Sequence, residues 1–324
     1  MVTVVSVGCE RQSQETLTPI VLQTDWYAQT EHGGFYQALA DNLYRDARLD
    51  VKIVPGGPAH LDILRVVRGE ADFGLGRADD VIVAIAEGAP IVIVGAYMQH
   101  DPQAIMVHQD SGIERLKDLD GKTIAATPGS GFLKVLRRVC QIDFSVIPME
   151  RSIQPFLSDP NYIQQCFLTN EPYMAIREGV YPRVLPISDS GFDPGRVWYT
   201  RISFAREHPD TVRAFTDASI RGWQAFMKGP NRRAMNLIAE QNPLMRDEYM
   251  AFSLKTMKEH HLVAGRPEEN LVVGEIRRER IEMLIEQLED VGLIAPGFTP
   301  DDVYMPDFFA DTVAELRRDG SRRH

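Results

Sequence analysis

The feature that most constrains this chain is an alternation of short apolar, β-branched runs with stretches of helical spacing, sustained from residue 18 to residue 201. Pro19–Thr24, Leu49–Val54, Ala71–Gly76 and Ile91–Tyr97 read as strands. Gly34–Tyr44, Ala59–Arg68 and Asp79–Glu87 read as the helices between them, with Leu61, Leu64 and Val67 on one face. Ile91–Tyr97 is apolar throughout, which suits a strand buried on both faces. This rhythm predicts βαβ units and a largely parallel sheet with helices on both faces.

A second round of the same rhythm starts near Gln103. Its strands are Ala104–His108, Lys122–Ala126, Phe144–Pro148, Gln164–Leu168 and Val184–Pro186, and Val197–Arg201 closes it. The helix Phe132–Cys140 follows a Thr127-Pro128-Gly129-Ser130-Gly131 turn. From Glu207 the pattern becomes helical. Pro209–Lys228, Asn231–Glu240, Arg246–Glu259 and Gly274–Val291 repeat apolar residues every three or four positions. Gly229-Pro230, Asn242-Pro243 and Pro296-Gly297 punctuate them. Two α/β units and a helical tail predict two lobes with a ligand cleft between them that closes by hinge motion. The expected division is 18–103 for the first lobe, 104–200 for the second, and 201–324 for the return to the first lobe and the C-terminal helices. Residues 1–17 are read as a signal remnant and tether.

Composition narrows the function. The 324 residues carry 46 Asp and Glu against 35 Lys and Arg, a net charge of −11, so no basic face recommends a nucleic-acid partner. The basic cluster Arg317-Arg318 to Arg322-Arg323-His324 reads as a frayed end. None of Cys9, Cys140 and Cys166 lies in a metal-spaced pair, and the latter two read as buried thiols. Met1 to Cys9 is similar to the end of a bacterial lipoprotein signal, which makes Cys9 the expected lipidation site. Ser6 stands where an aliphatic residue is usual, and a basic n-region is missing.

Asp25-Trp26-Tyr27-Ala28-Gln29-Thr30-Glu31-His32-Gly33-Gly34-Phe35-Tyr36 is the segment richest in binding chemistry. It joins a strand to a helix. Glycine permits close backbone approach, helix starts expose N–H groups, and aromatics suit a flat solute. Trp26 reads as a stacking platform or as core, Tyr27 as core packing, and His32 as a ring-nitrogen partner or a satisfied histidine. Arg77 follows a strand end, where open α/β sheets bind ligands. Its fork suits a carboxylate, phosphate or carbonyl, and Asp79 reads as a ligand contact or, more simply, as a cap of the helix that follows. Gly129 and Ser130 form an N-cap or an anion- or carbonyl-binding nest. Glu171 reads as an acceptor for an amino heterocycle, a partner for Arg77, or a cap. Trp198 closes the cleft or packs the hinge, and Gln99 with His100 follows the Ile91–Tyr97 strand. The sequence has no Gly-x-Ser-x-Gly elbow, no His-Glu-x-x-His and no P-loop ending.

Four segments carry a family resemblance: Trp26 through Tyr36, Gly69 through Gly76 with Arg77-Ala78-Asp79, Leu116 through Ala125 leading into Pro128-Gly129-Ser130, and Thr169-Asn170-Glu171-Pro172-Tyr173 with Gly179. In this order the chain resembles type 2 periplasmic solute-binding proteins of the branch that includes thiamine-pyrimidine binders and the yeast-type thiamine pyrimidine synthase. Alkanesulfonate and nitrate binders are relatives. The resemblance implies an α/β, two-lobed Venus-flytrap fold with a helical C-terminal part. It implies delivery of a small solute to an ABC permease, from the periplasm or the outer face of the cytoplasmic membrane. It brings no cofactor, metal or catalytic residue, and a monomer is expected. The ligand-binding set it suggests is Trp26, His32, Gly33, Arg77, Gln99, Gly129, Ser130, Glu171, Tyr173 and Trp198. The expected ligand is a thiamine-pyrimidine precursor or related vitamin fragment, with a sulfonate, nitrate or other small anion as the alternative. Synthase relatives carry a Cys-rich motif that is absent here, so a binding protein is expected rather than an enzyme.

Overall fold

The apolar runs pair into two five-stranded sheets, and every strand expected from the sequence is present. The computed structural model describes residues 16–59, 61–150 and 152–321; Cys9 and its flanks lie outside them. In the first sheet β1 (Thr18–Gln23), β2 (Leu49–Val54), β3 (Phe73–Arg77), β4 (Ile91–Met98) and β10 (Arg196–Arg201) lie in the order β2-β1-β3-β10-β4. In the second, β5 (Gln103–His108), β6 (Thr123–Ala126), β7 (Ser145–Pro148), β8 (Gln164–Phe167) and β9 (Pro182–Pro186) lie in the order β7-β6-β8-β5-β9. This is the architecture of a two-lobed periplasmic binding protein.

The sheets are mixed rather than largely parallel. β1 pairs in parallel with β2 and β3, but β10 runs antiparallel between β3 and β4. β5 likewise runs antiparallel to β8 and β9. The last strand of the expected second unit therefore belongs to the first sheet, so by strand pairing the chain has recrossed before Arg196, not near Arg201. Both crossings are short. One joins β4 to β5 and the other precedes β10.

The first-lobe core explains the glycines of the aromatic turn. The helix Gly33–Ala40 packs on the helix Pro209–Lys228. A Cβ on Gly33 would stand 2.2 Å from the Phe226 ring, and one on Gly34 would stand 2.1 Å from Trp223. These glycines let two helices approach, and the aromatic rings take the space of the missing side chains. Gly34→Ala is expected to cost about 1–3 kcal/mol through overpacking, read from urea unfolding; an unchanged midpoint would contradict this contact. The helix expected over Gly34–Tyr44 stops at Ala40, because Asn42 adopts φ +60° and starts a separate turn, Leu43–Asp46. Of the basic cluster read as a frayed end, Arg317 lies in the helix Ala310–Ser321 and meets Glu275 at 2.6 Å, while Arg322, Arg323 and His324 lie outside the described residues.

Candidate functional site

The turn after β1 is pinned before any ligand arrives. Thr24 Oγ1 donates to the Trp26 carbonyl at 2.5 Å, and Gly56 N donates to the same carbonyl at 2.9 Å. A Cβ on Gly56 would stand 2.2 Å from the Thr24 carbonyl oxygen, so only glycine lets the loop after β2 lie against the loop after β1. Between them is a cavity of about 210 Å³, walled by Gln23, Asp25, Tyr27, Gly56, Gly57 and Pro58 among others. That is smaller than the 300–1,000 Å³ typical of drug-sized pockets, and suits a single ring. Tyr27, expected in the core, is 47% exposed and packs edge-on to Trp26 at 5.4 Å.

Behind this cavity lies a buried ionic cluster. His32 Nε2 is 3.0 Å from Asp25 Oδ1, and Arg196 Nη1 donates to Asp25 Oδ2 at 2.6 Å. Arg196 Nε also lies 3.4 Å from Asp101. Arg77, in register with Arg196 on the neighbouring strand, forks onto Asp79 at 3.1 and 2.9 Å and donates to Gln103. Burial alone would raise the Asp25 carboxyl; the Arg196 guanidinium and then the His32 hydrogen bond more than reverse this and hold it at about 2. Burial lowers, and the neighbouring aspartates more strongly raise, the Arg77 pKa.

The second lobe meets this cluster directly. The Phe132 ring, at the start of the helix Gly131–Cys140, lies 5.8 Å from the Arg77 guanidinium, and the Phe167 ring of β8 lies 5.1 Å from that of Arg196. Thr169 Oγ1 donates to Glu31 Oε1 across the same boundary. The aromatic turn and the Asn170–Tyr173 corner therefore face each other.

The structure brings His32 and Arg77 to this boundary, with the Gly129–Ser130 loop beside Phe132 and Glu171 beside Thr169, while Trp26 packs against Tyr27 in the first-lobe turn. Ser130 makes no side-chain cap, and nothing lies within 4 Å of a Cβ built on Gly129, whose φ is +82°. Glu171 does not pair with Arg77. It accepts from the Phe167 N–H at 2.8 Å, and burial pushes its carboxyl up to about 7. Asp79 is the partner of Arg77 rather than a cap.

Other residues of the expected set lie elsewhere. Gly33 is filled by Phe226, as described above. Trp198 is fully buried, donates to Thr216 Oγ1 at 3.2 Å, and occupies the space over Gly95. Gln99 donates to the carbonyls of Val272 and Glu275, away from the cleft. Tyr173 belongs to the corner that faces the aromatic turn, but its ring is taken up by stacking on Tyr249 at 4.6 Å. Sequence reasoning missed Asp25, Asp101 and Arg196, whose pairing joins distant strands. The available signal was an aspartate directly before the Trp-Tyr pair.

Residues 29–233 match the family described as NMT1/THI5 like. The chain belongs to the NMT1/THI5-like family. Among curated relatives, a Haemophilus influenzae protein named "Putative thiamine biosynthesis protein" is 27% identical over 114 residues, covering 35% of this chain and 36% of the relative. The 4-amino-5-hydroxymethyl-2-methylpyrimidine phosphate synthase of Legionella pneumophila is 25% identical over 107 residues, 32% of this chain and 33% of the relative. The NMT1/THI5-like chain thus spans about a third of the length of the curated relatives it matches. Its fold is similar to that of the periplasmic aliphatic sulphonate-binding protein SsuA of Escherichia coli, with a TM-score of 0.66 and 17% identity, covering 89% of this chain and 92% of that one. Among the described residues no helix is long and apolar enough to cross a membrane.

Proposed function

We propose that this NMT1/THI5-like chain captures a small heteroaromatic solute bearing an amino donor, a thiamine-pyrimidine precursor or related vitamin fragment, and hands it to an ABC permease outside the cytoplasmic membrane. The carrying observation is the Asp25 carboxylate on the wall of a single-ring cavity beside the Tyr27 ring. Held ionised by Arg196, Asp25 can accept from a ring amino group while Tyr27, backed edge-on by Trp26, offers an aromatic surface. The names of the two curated relatives agree with a pyrimidine.

The anion reading has less support. In the cluster, Arg77 and Arg196 are already committed to Asp25, Asp79 and Asp101, so acids outnumber guanidinium groups. Arg65, which also lines the cavity, is itself engaged with Gln23 Oε1 at 2.7 Å. In the proposed role the chain carries its ligand unchanged, and Cys9, if lipidated, tethers it.

A thermal-shift screen of aminopyrimidines, thiamine fragments, alkanesulfonates and nitrate tests this reading. A ligand at 100 times its Kd stabilises by about 2.7 kcal/mol, and Asp25→Asn is expected to remove the response. A response to sulfonate or nitrate with none to aminopyrimidines would overturn it. Mass spectrometry of recovered ligand should find no conversion, and of the mature protein should find a diacylglyceryl group on Cys9.

A further inference from the structure

The two chain crossings between the sheets are fastened to each other and to the C-terminal segment by one histidine. His100 lies in the crossing between β4 and β5, and is 7% exposed. Its Nδ1 is 2.5 Å from Asp193 Oδ2, in the other crossing, just before β10. Its Nε2 is 2.8 Å from Glu269 Oε2, in the segment joining the helices Asp247–Glu259 and Arg278–Asp290. The three stretches are stitched around it. His100 N donates to the Leu262 carbonyl at 3.0 Å, and Asp101 N donates to Asp193 Oδ1 at 2.8 Å.

An imidazole placed between two carboxylates has two hydrogen-bonding states. The imidazolium donates from both ring nitrogens. The neutral ring has one N–H and can serve one carboxylate, leaving a lone pair facing the other. We propose that His100 is a proton-operated clamp on the crossings: protonated, it ties the two crossings to each other and to the C-terminal segment as seen here; neutral, it releases either Asp193 or Glu269 and lets the lobes part.

The surrounding charges fit this device. Arg280 lies 3.6 Å from Asp193 and donates to the Gln99 and Asp193 carbonyls, so Asp193 keeps a cationic neighbour when His100 is neutral. Glu269 accepts from the Arg266 N–H at 2.6 Å and has no second side-chain cation at bonding distance among the described residues, which makes it the partner to be released. Asp101, next in the chain, faces Arg77 and Arg196 instead. Burial lowers the His100 pKa, but Asp193 and Glu269 raise it further, for a net upward shift. A raised histidine stabilises the folded form fully below its unfolded value of about 6.5, and loses that contribution as pH rises through the folded value.

The test uses ligand-free protein, so its outcome is independent of the ligand proposed above. NMR titration of the His100 ring, assigned against His100→Gln, should give a midpoint above about 6.5. Small-angle scattering at about pH 6 and about pH 9 should show a larger radius of gyration at the higher pH in the wild type. Glu269→Gln should reduce that pH response while remaining folded, because its side chain sits at the surface end of the clamp. A midpoint at or below about 6.5, a radius indifferent to pH, or an equal pH response in Glu269→Gln would each overturn the proposal.

Discussion

Arg196→Met is expected to cost about 3–5 kcal/mol of folding stability, read from urea denaturation, the largest single-site electrostatic effect expected in the first lobe. The guanidinium is buried and holds Asp25 at 2.6 Å and Asp101 at 3.4 Å. Methionine keeps the apolar stem against Phe167 but leaves buried Asp25 with His32 alone and buried Asp101 with the more distant Arg77 at 3.7 Å. Asp25→Asn in the same chain should recover part of the loss, since one of those charges is then gone; a double-mutant cycle measures the coupling. The acid limb should move as well. A carboxyl held low contributes stability that is complete above its unfolded value of about 3.9 and is lost as pH falls through about 2. Without Arg196 the folded carboxyl is no longer held there, so acid sensitivity should begin at higher pH. A variant as stable as the wild type, with an unmoved acid limb, would remove the cluster from the account of this fold.

Trp198→Ala should cost about 3–5 kcal/mol, and Trp198→Phe less, with no change in ligand affinity for the phenylalanine variant. The indole is fully buried against Gly95, makes an edge contact with Phe35 at 5.9 Å and bonds Thr216. Its work lies in the first-lobe core, so denaturation should report it and titration calorimetry should not. An affinity loss in Trp198→Phe beyond about tenfold, or about 1.4 kcal/mol, would return the residue to the cleft.

Strands were legible because each is a local run of β-branched residues, and Ile91–Met98 is buried along its whole length, as its composition predicts. Sheet order was not legible. The antiparallel insertion of β10 between β3 and β4 is a pairing between distant segments, and no local pattern encodes it. The site divides in the same way. The Asp25–Tyr36 turn stood out because its aromatics and glycines are contiguous. The Asp25–Arg196 pair did not, because its members are 171 positions apart. A glycine beside an aromatic looks the same in sequence whether a ligand or a helix fills the space. That is why Gly33 and Trp198 read as ligand contacts while the structure packs both into the core, and why Tyr27, read as core, lines the cavity.

The absent side chains at Gly33 and Gly34 have a consequence at some remove. The depth to which that first helix can sink sets where its upstream arm, and hence the rim of the cavity, comes to rest. Drift in Trp223 or Phe226, fully buried where no solute reaches, should therefore retune recognition as surely as a change in the rim itself.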